Sequence, residues 1–262
     1  MALISMAVHD TVENGRSKFT LDTLKSLAWT VDWRSGRHRL TIVDNGSCAE
    51  TQQIYKEAGS VIPFYLLRNK TNEGTANAIN RAWKERRSGE HTVKIDNDVR
   101  IHQPGWADWM EDVFDRDPEI GICGLKRKDL MEAPWVEGPF KSTLRMLPHE
   151  RGQRWLVVEE VGHVMGTCQA YSSSLLCKMG YLYQGEWKYG FDDSLAAVRS
   201  KVLGYKSVFL HGFEIDHIDP GGDDYAEEKK KIAGQAMTWF NHTRRQYQSG
   251  EKDPYYDGGF SK

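Results

Sequence analysis

The fold of this chain is constrained most by the regular alternation of apolar runs with amphipathic segments over its first 100 residues. Four apolar runs have the length and the β-branched content of buried strands. They are ALISMAV, RLTIV, VIPFYLL and HTVKID. The segments between them show helical spacing, as in LDTLKSLAW, where Leu21, Leu24 and Leu27 share one face. Strands that alternate with helices of this length predict an α/β fold with a Rossmann-like, mostly parallel central sheet and helices on both faces.

A different pattern follows residue 101. Helical spacing recurs in WADWMEDVFDRD and DDSLAAVRSKVLGY, and IGICGLKR has the composition of a strand. We expect two late strands in KSVFL and EIDHI, an irregular region over residues 129–160, and a polar tail from Asp219 with one mixed-charge helix.

The composition is that of an ordinary soluble globular protein, with 39% hydrophobic and 27% charged residues. A formal net charge of −2 gives the whole chain no electrostatic reason to bind nucleic acid or an anionic membrane. The four cysteines are widely scattered and indicate neither a zinc site nor a disulfide framework. No run approaches the roughly 18 apolar residues of a membrane span, and the first residues lack the pattern of a secretion signal. These features predict a cytoplasmic protein with no membrane span.

Polar clusters follow each of the four predicted strands. They comprise Asp10; Asp44 and Asn45; Asn72 and Gly74; and Asp96, Asn97 and Asp98. In a doubly wound sheet, ligands bind beyond the carboxyl ends of the strands. We therefore expect these side chains to meet at one edge of the sheet and to form a binding site there.

The triplet Asp96-Asn97-Asp98 puts two carboxylates close together at the end of an apolar run, where like charges repel and desolvation is costly. Such a pair suits Mn²⁺ or Mg²⁺, which carboxylates and substrate phosphates bind together. An ordinary turn is the alternative, because Asp and Asn satisfy local backbone groups there.

Two further strand ends have the composition of ligand-binding loops. In VDNGS, Asp44 and Asn45 offer hydrogen-bonding groups to a nucleobase. In NEGTANAIN, Gly74 opens a helix whose N–H groups could face a phosphate. The alternatives are a plain β-turn for the first loop and an ordinary helix start for the second.

Asp192 and Asp193 stand at the start of a predicted helix, where a carboxylate stays ionised and can act as a general base. An N-cap is the competing interpretation. His217 lies in EIDHID between two aspartates, as either a metal ligand or a solvated surface histidine.

Taken in order, these segments resemble the family 2 glycosyltransferases of the GT-A fold, over roughly residues 2–218. The order of five motifs carries the resemblance. The matching positions are Val43 to Ser47; Asn72, Gly74 and Asn80; Asp96 and Asp98; Asp192, Asp193 and Arg199; and Gly204 and Tyr205.

The resemblance implies a metal-dependent, inverting transfer of a sugar from a nucleotide-diphosphate sugar to an acceptor hydroxyl. Metal ligands would be Asp98, Asp96 and His217, with Mn²⁺ or Mg²⁺ as cofactor. The implied nucleotide-sugar contacts are Asp10, Asp44, Asn45, Asn72, Gly74, Asn80, Asp96 and Asn97. Asp193 would be the base, with Asp192 able to share that role, and Trp187 and Gly166 would contact the acceptor. Asp44-Asn45 stands where Asp-Asp is commoner, which leaves uracil, thymine and guanine open as the nucleobase of the donor. Asp192-Asp193 stands where Glu-Asp is commoner, so Asp192 could share the role of catalytic base.

The same resemblance implies a domain division. Residues 1–218 would form the GT-A domain, with a nucleotide-sugar half at 1–101 and an acceptor and catalytic half at 102–218, and 219–262 would be a helical tail. We expect acceptor recognition in residues 129–160 and in the tail. A saccharide acceptor is favoured, although the basic segments Lys229–Lys231 and Arg244–Arg245 could touch a nucleic acid. A solvated helix face is the simpler interpretation of those segments, and the oligomeric state stays open.

Two other functions use similar residues. A sugar-phosphate nucleotidyltransferase also pairs carboxylates on Mg²⁺, but it usually has a glycine-rich basic loop after the first strand, where this chain has HDTVENGRSK. A Ca²⁺-dependent sugar-binding module could use the DND triplet but would not need Asp193 or bind a nucleotide.

Overall fold

The computed structural model describes residues 1–131, 141–148, 150, 153–219, 221 and 224–260. The strands are β1 (Ala2–Val8), β2 (His38–Asp44), β3 (Phe64–Arg68), β4 (His91–Ile95), β5 (Val99–Ile101), β6 (Ile120–Arg127), β7 (Thr143–Met146), β8 (Val157–Val161), β9 (Cys168–Tyr171) and β10 (Lys206–His217). The helices are α1 (Ser17–Thr30), α2 (Ala49–Ala58), α3 (Thr75–Trp83), α4 (Trp106–Arg116), α5 (Ser173–Met179), α6 (Asp192–Val202) and α7 (Asp224–Ser249). Short 3-10 helices span Trp33–Ser35 and Lys128–Met131.

All these strands join one mixed sheet in the order β3-β2-β1-β4-β9-β6-β10-β8-β7, with β5 paired to β10. Strands β1, β2, β3, β4, β6, β7 and β10 run in one direction, and β5, β8 and β9 run the other way. The first four strands are wholly parallel, because a helical segment separates each from the next along the chain. The predicted α/β fold with a mostly parallel central sheet is confirmed.

Helices cover both faces of the sheet, as the alternation within β1 illustrates. Ala2, Ile4 and Met6 pack into one core cluster with residues of α1, α2 and α4. Leu3 points the other way, into a second cluster with residues of α3, α5 and α6. Since successive strand side chains alternate between faces, one strand supplies both cores.

Two of the strand predictions were wrong. KSVFL and EIDHI belong to one strand, β10, whose register against β6 shifts between Phe209 and Glu214, so the strand continues through the polar residues that suggested a break. Residues 129–160 were expected to be irregular, yet β7 and β8 pair there and extend the sheet beyond β10. Within that region, residues 132–140, 149 and 151–152 lie outside the described residues.

The predicted C-terminal tail is helical and packs closely on the rest of the chain. The Phe240 ring of α7 stacks on Phe191, with centroids 4.4 Å apart, and Tyr247 is buried. Beyond α7, the carbonyl of Pro254 accepts a hydrogen bond from Arg199 at 2.7 Å. The division of the chain into two halves and a tail stays a prediction. No helix in the described part of the chain combines the length and apolar character that crossing a bilayer requires.

The stability of the sheet near β8 should depend on pH through Glu159. Burial opposes ionisation of this carboxyl, but hydrogen bonds from Lys126 at 2.7 Å and from His211 at 3.0 Å outweigh burial, so the pKa of Glu159 lies below its ordinary value of 4.5. A depressed folded pKa gives stability that is present above the unfolded pKa and is lost as pH falls through the folded one.

We expect Glu159→Gln to lower the free energy of unfolding at pH 7 by about 1–2 kcal/mol, the worth of a charge-assisted hydrogen bond. The difference from wild type should shrink as the pH is lowered below about 4. Urea unfolding at pH 7 and at about pH 3 measures it, and an equal difference at both values would contradict the assignment.

Candidate active site

A cavity of about 430 Å³ opens at the edge of the sheet where the parallel strands end. Its walls come from the residues after β1 and β4, the loop before β9, the first turn of α6, the end of β10 and the first turns of α7. Of the predicted site residues, the cavity is lined by Asn45, Asn72, Asp96, Asn97, Asp98, Gly166, Asp192, Asp193 and His217. The sheet edge therefore brings residues from both predicted halves of the chain into one site.

Asp98 stands at the centre of an acidic cluster at the floor of this cavity. Ligand atoms of Asp98, His217 and Asp219 all lie within 4.8 Å of one another, and Nε2 of His217 is 3.5 Å from Oδ2 of Asp98. Burial opposes ionisation of Asp98, but the hydrogen bond and charge of His217 and the charge of Arg16 outweigh it and hold the pKa of Asp98 below its usual value. The cluster is therefore anionic at neutral pH.

The guanidinium of Arg16 bridges the two carboxylates of this cluster. It forms an ion pair with Oδ2 of Asp98, and its NH1 lies 2.6 Å from Oδ2 of Asp219. All three side chains are nearly inaccessible to solvent. Burying two carboxylates side by side is costly unless a cation pairs with them, and Arg16 supplies that cation from the turn before α1.

The cluster also fits a divalent cation. Oδ1 of Asp98 is buried and accepts no hydrogen bond from any described residue, so one ligand atom is left for a metal. Two carboxylates and an imidazole suit Mn²⁺ or Mg²⁺ better than a soft metal. Asp219 is the third member of the cluster. Asp96 lines the same cavity with its Oδ1 3.2 Å from Nζ of Lys94, and its role as a metal ligand stays a prediction.

Lys94 lies buried in the cavity between the carboxylates of Asp96 and Asp192. Its Nζ donates to the carbonyl of Gly166 at 3.0 Å and is 3.3 Å from Oδ2 of Asp192, a contact that is ionic rather than a well-directed hydrogen bond. Burial favours the neutral amine, but Asp192 and Asp96 outweigh it and raise the pKa of Lys94. Desolvation, together with the nearby Asp98, raises the pKa of Asp96 to about 6 despite the attraction of Lys94.

Both aspartates of the α6 pair line the cavity, and Asp193 is the more exposed of the two. Its carboxylate accepts hydrogen bonds from the backbone N–H groups of Gly166 at 2.9 Å and Ser194 at 2.6 Å, and Nε2 of His163 is 3.6 Å away. Burial opposes ionisation, but His163, Lys94 and the Gly166 N–H outweigh it and keep the pKa of Asp193 below its usual value. Asp192 is more buried, and its burial raises its pKa.

Asp44 and Asn45, which were predicted to contact the nucleobase, form hydrogen bonds within and between the loops that follow β2 and β3. Asp44 accepts from the N–H of Ser47 at 2.9 Å and from Gln52 at 2.6 Å, away from the cavity lining. Asn45 donates to the carbonyl of Gly74 at 3.2 Å. Gly74, at φ +86°, lies so close to Lys188 that an added Cβ would stand 2.9 Å from its Cα, so this glycine permits a backbone contact.

Three other residues predicted to contact the nucleotide sugar form hydrogen bonds within the protein. Asp10 is fully buried and accepts from Thr20 at 2.5 Å and from Asn97 at 2.8 Å, which fixes the turn between the two aspartates of the triplet. Asn80 exchanges two hydrogen bonds with the backbone of Leu182 and lies outside the cavity lining, as do Asp10, Gly74 and Trp187.

Sequence reasoning missed several residues in and beside the cavity, and only some had a signal. Asp219 follows His217 by two positions, the spacing at which strand side chains share a face, so it could have been found. Lys94 is a charged residue within a buried strand, which is unusual enough to mark it. Arg16 and His163 stand in polar segments with nothing to distinguish them from surface residues, and Lys229 was considered only as part of a basic segment.

Comparisons with known proteins agree with this geometry. The family model for glycosyl transferase family 2 matches residues 14–180, which is more than half of the chain. The chain belongs to this family. The resemblance predicted from the motif order is therefore confirmed, and membership argues against the nucleotidyltransferase and binding-module alternatives. A search of the curated proteins found no match.

Solved glycosyltransferase structures share the fold at low sequence identity. Residues 1–349 of S. aureus TarS in complex with UDP-GlcNAc give a TM-score of 0.60 at 18% identity, over 88% of this chain and 64% of that one. The mannosyltransferase PcManGT from Pyrobaculum calidifontis, in complex with GDP-Man and Mn²⁺, gives 0.61 at 17%, over 86% and 59%. GalNAc-T7 with UDP, GalNAc and Mn²⁺ gives 0.62 at 13%, over 84% and 44%. The chain spans less than two thirds of each of these structures.

Arg16→Met tests whether the bridging guanidinium stabilises the acidic cluster. Loss of the guanidinium leaves Asp98 and Asp219 buried without their cation, so we expect a loss of about 3–5 kcal/mol in unfolding free energy. Mn²⁺ should restore part of this stability because a metal can replace the missing charge. Thermal or urea unfolding with EDTA and with Mn²⁺ measures both effects.

Arg100→Met is the matched control, because Arg100 pairs with Asp22 at 2.9 Å in an exposed ion pair. Its cost should stay below about 1 kcal/mol and should not respond to Mn²⁺. If Arg16→Met behaved like this control, the cluster would not depend on Arg16.

Proposed function

We propose that this protein transfers a sugar from a nucleoside-diphosphate sugar to an acceptor hydroxyl, with inversion at the anomeric carbon and with a divalent cation as cofactor. One observation carries the proposal. Asp98 and His217, which form a cluster with Asp219, line the same cavity as the carboxylate of Asp193, at the carboxyl ends of the parallel strands. A cation cluster and a base facing one space are what a displacement of a diphosphate requires.

Donor binding is the first part of this function. Asp98, His217 and Asp219 would hold Mn²⁺ or Mg²⁺, which when bound offsets the negative charge on the diphosphate as it leaves. Lys229, which lines the cavity 3.6 Å from Asp219, adds a further positive charge at the same place. The UDP-GlcNAc and GDP-Man bound by the structural neighbours support a nucleoside-diphosphate sugar as donor. The family match and the strand-end loops support residues 1–101 as the half that binds the nucleotide.

Proton removal is the second part. As the acceptor oxygen bonds to the anomeric carbon, the bond from that carbon to the diphosphate oxygen breaks and its electron pair leaves with the nucleoside diphosphate. The hydroxyl proton passes to Asp193, whose lowered pKa keeps it ionised and ready to accept. A low pKa makes a weak base, but the transfer takes place as bond formation makes the hydroxyl acidic.

Asp192 and Lys94 hold the base in place. Lys94 contacts Asp192 and also donates to the carbonyl of Gly166, whose own N–H donates to Asp193. Gly166 leaves no room for a side chain here, since an added Cβ would lie 2.7 Å from Nζ of Lys94 and 3.1 Å from Cβ of Asp193. This contact supports the prediction that Gly166 lies beside the acceptor hydroxyl. It also supports Asp193, rather than Asp192, as the residue that takes the proton.

Asp193→Asn is the direct test of the base. Gly166 donates to Oδ2 and Ser194 to Oδ1, and the single amide oxygen can keep one of these two hydrogen bonds. The substitution keeps the shape of the side chain, so we expect the fold and donor binding to survive. We expect transfer or donor hydrolysis to fall by about 10²–10⁴-fold, the usual worth of a general base, with the dissociation constant of the nucleoside diphosphate changed less than about twofold. A transfer or hydrolysis rate within tenfold of wild type would show that Asp193 is not the catalytic base.

Asp98→Ala tests the cation site. We expect loss of the Mn²⁺-dependent part of nucleotide binding, measured by calorimetry with Mn²⁺ and with EDTA. The control is Asp216→Asn, one residue from His217, whose carboxylate pairs with His102 at 2.7 Å and with Lys128 at 2.9 Å outside the cluster. Nucleotide affinity that is unchanged in Asp98→Ala would overturn the assignment.

A further inference from the structure

A second groove adjoins the donor cavity on the side of α6. Its first part, of about 530 Å³, is lined by His163, Ser194, Lys201, Phe240, Arg244 and Gln248 among others. A neighbouring part, of about 500 Å³, includes Lys141, Arg145, Glu160, Tyr205 and Lys206. Gly162, Ala197 and Lys201 line both parts, so the two parts are adjacent, and together they are named here the α6 groove.

The α6 groove begins at the proposed base. His163 lines the groove, and its Nε2 lies 3.6 Å from Oδ2 of Asp193, which lines the donor cavity. Ser194, the next residue along α6, faces the groove and also donates to Asp193. A chain lying in the groove would therefore end at the carboxylate that takes the acceptor proton.

The groove carries unneutralised positive charge. Lys141, Lys201 and Arg244 form no ion pair with any described carboxylate. Arg145 and Lys206, in contrast, are paired with Asp117 at 2.5 Å and with Glu119 at 2.7 Å. The acidic lining residue Glu160 is 3.4 Å from Arg145 and so does not offset the other three cations.

The spacing of these cations indicates an extended ligand. Lys201 follows Asp193 by eight positions on one helix, a distance of about 12 Å at 1.5 Å per residue. That exceeds the span of one sugar ring, so the groove suits a chain of several units rather than a single small acceptor. The second part of the groove, around Lys141, adjoins the first part at Lys201.

We propose that the acceptor is an extended chain linked by phosphodiesters, which lies in the α6 groove and presents a hydroxyl to Asp193. This inference rests on the proposed glycosyl transfer and names the acceptor class. Phosphodiesters keep a negative charge on every linkage, which matches a groove whose cations lack partners. A neutral sugar chain would bring no negative charge to pair with these cations.

The placement of the cations favours phosphate over carboxylate. Lys201 reaches the first part of the groove from α6, and Arg244 reaches it from α7. An anion between them is approached from two helices, and a tetrahedral phosphate presents oxygens in more directions than a planar carboxylate does. Arginine and lysine are also the usual phosphate ligands.

The residues of the basic segments Lys229–Lys231 and Arg244–Arg245 take different positions in the structure. Arg244 and Phe240 line the groove, whereas the neighbouring Arg245 donates to the carbonyl of Asn241 and does not line it. Lys230 is paired with Glu227 at 2.6 Å. The positive charge of the groove therefore comes from Lys201 on α6 and Arg244 on α7, and not from every residue of the two basic segments.

The test measures binding of a fluorescein-labelled single-stranded dT12 oligonucleotide, used as a phosphodiester chain, to the full chain by anisotropy at about 50 mM salt. We expect the double variant Lys201→Gln/Arg244→Gln to weaken binding by at least tenfold. The salt dependence should become shallower by about 1.4 in the log–log slope, since two phosphate contacts are lost. The matched control is Lys230→Gln/Arg245→Gln, which should change affinity less than twofold.

Two further probes decide the chemical class. An oligogalacturonate of similar length carries carboxylates, and maltohexaose is neutral. Binding of dT12 at least tenfold tighter than either probe, and dependent on Lys201 and Arg244, supports the phosphodiester chain. Equal or tighter binding of either other probe, absence of dT12 binding, or equal losses in both double variants would overturn it.

Nucleoside-diphosphate binding with Mn²⁺, measured on the same preparations, separates this inference from the proposed function. Intact nucleotide binding with no groove-dependent dT12 binding rejects the acceptor class alone. A wild-type chain that binds no nucleoside diphosphate rejects the proposed transfer itself.

Discussion

The site depends on the neutralisation of carboxylates that the fold gathers at one edge of the sheet. Asp98 and Asp219 share the guanidinium of Arg16, and Asp96 and Asp192 share the ammonium of Lys94. Without these buried cations, the repulsion and desolvation of the carboxylates would oppose closure of the cavity. The two cations hold the acidic groups at fixed positions, and so prepare a place where a metal and a diphosphate can meet.

The two cations have different neighbours and so different consequences. Arg16 is paired within a cluster that also fits a divalent cation, so metal binding and the position of Arg16 are linked. Lys94 is joined to Gly166 and through it to the Asp193 carboxylate, so it connects the donor side of the cavity to the proposed base. The groove proposed for the acceptor lies elsewhere, between α6, α7 and the loop before β9, as expected when variable segments are added to a shared scaffold.

The sequence predicts the framework of this site well because its framework is local. Strand ends, the DND triplet and the acidic start of α6 are each visible within about ten residues, and their order predicts the family. The pairs that neutralise them are not local: Arg16 and Asp219 are 203 positions apart. Asp44 and Asn45 show the opposite difficulty, since their short polar side chains bond to nearby loops while the sequence pattern is the same as that of a ligand contact. The continuous β10 was divided in two because polar residues interrupt its apolar pattern without ending its pairing.

The proposed transfer requires that the cavity bind a nucleoside diphosphate together with a divalent cation. Calorimetric titration of the purified chain with UDP, GDP, dTDP and CDP, each with Mn²⁺ and with EDTA, measures this binding. We expect selective binding of one diphosphate that requires Mn²⁺ and that stabilises the folded chain by about 2.7 kcal/mol at a ligand concentration one hundred times the dissociation constant. Binding of none of the four, or binding that is equal with Mn²⁺ and with EDTA, would contradict it.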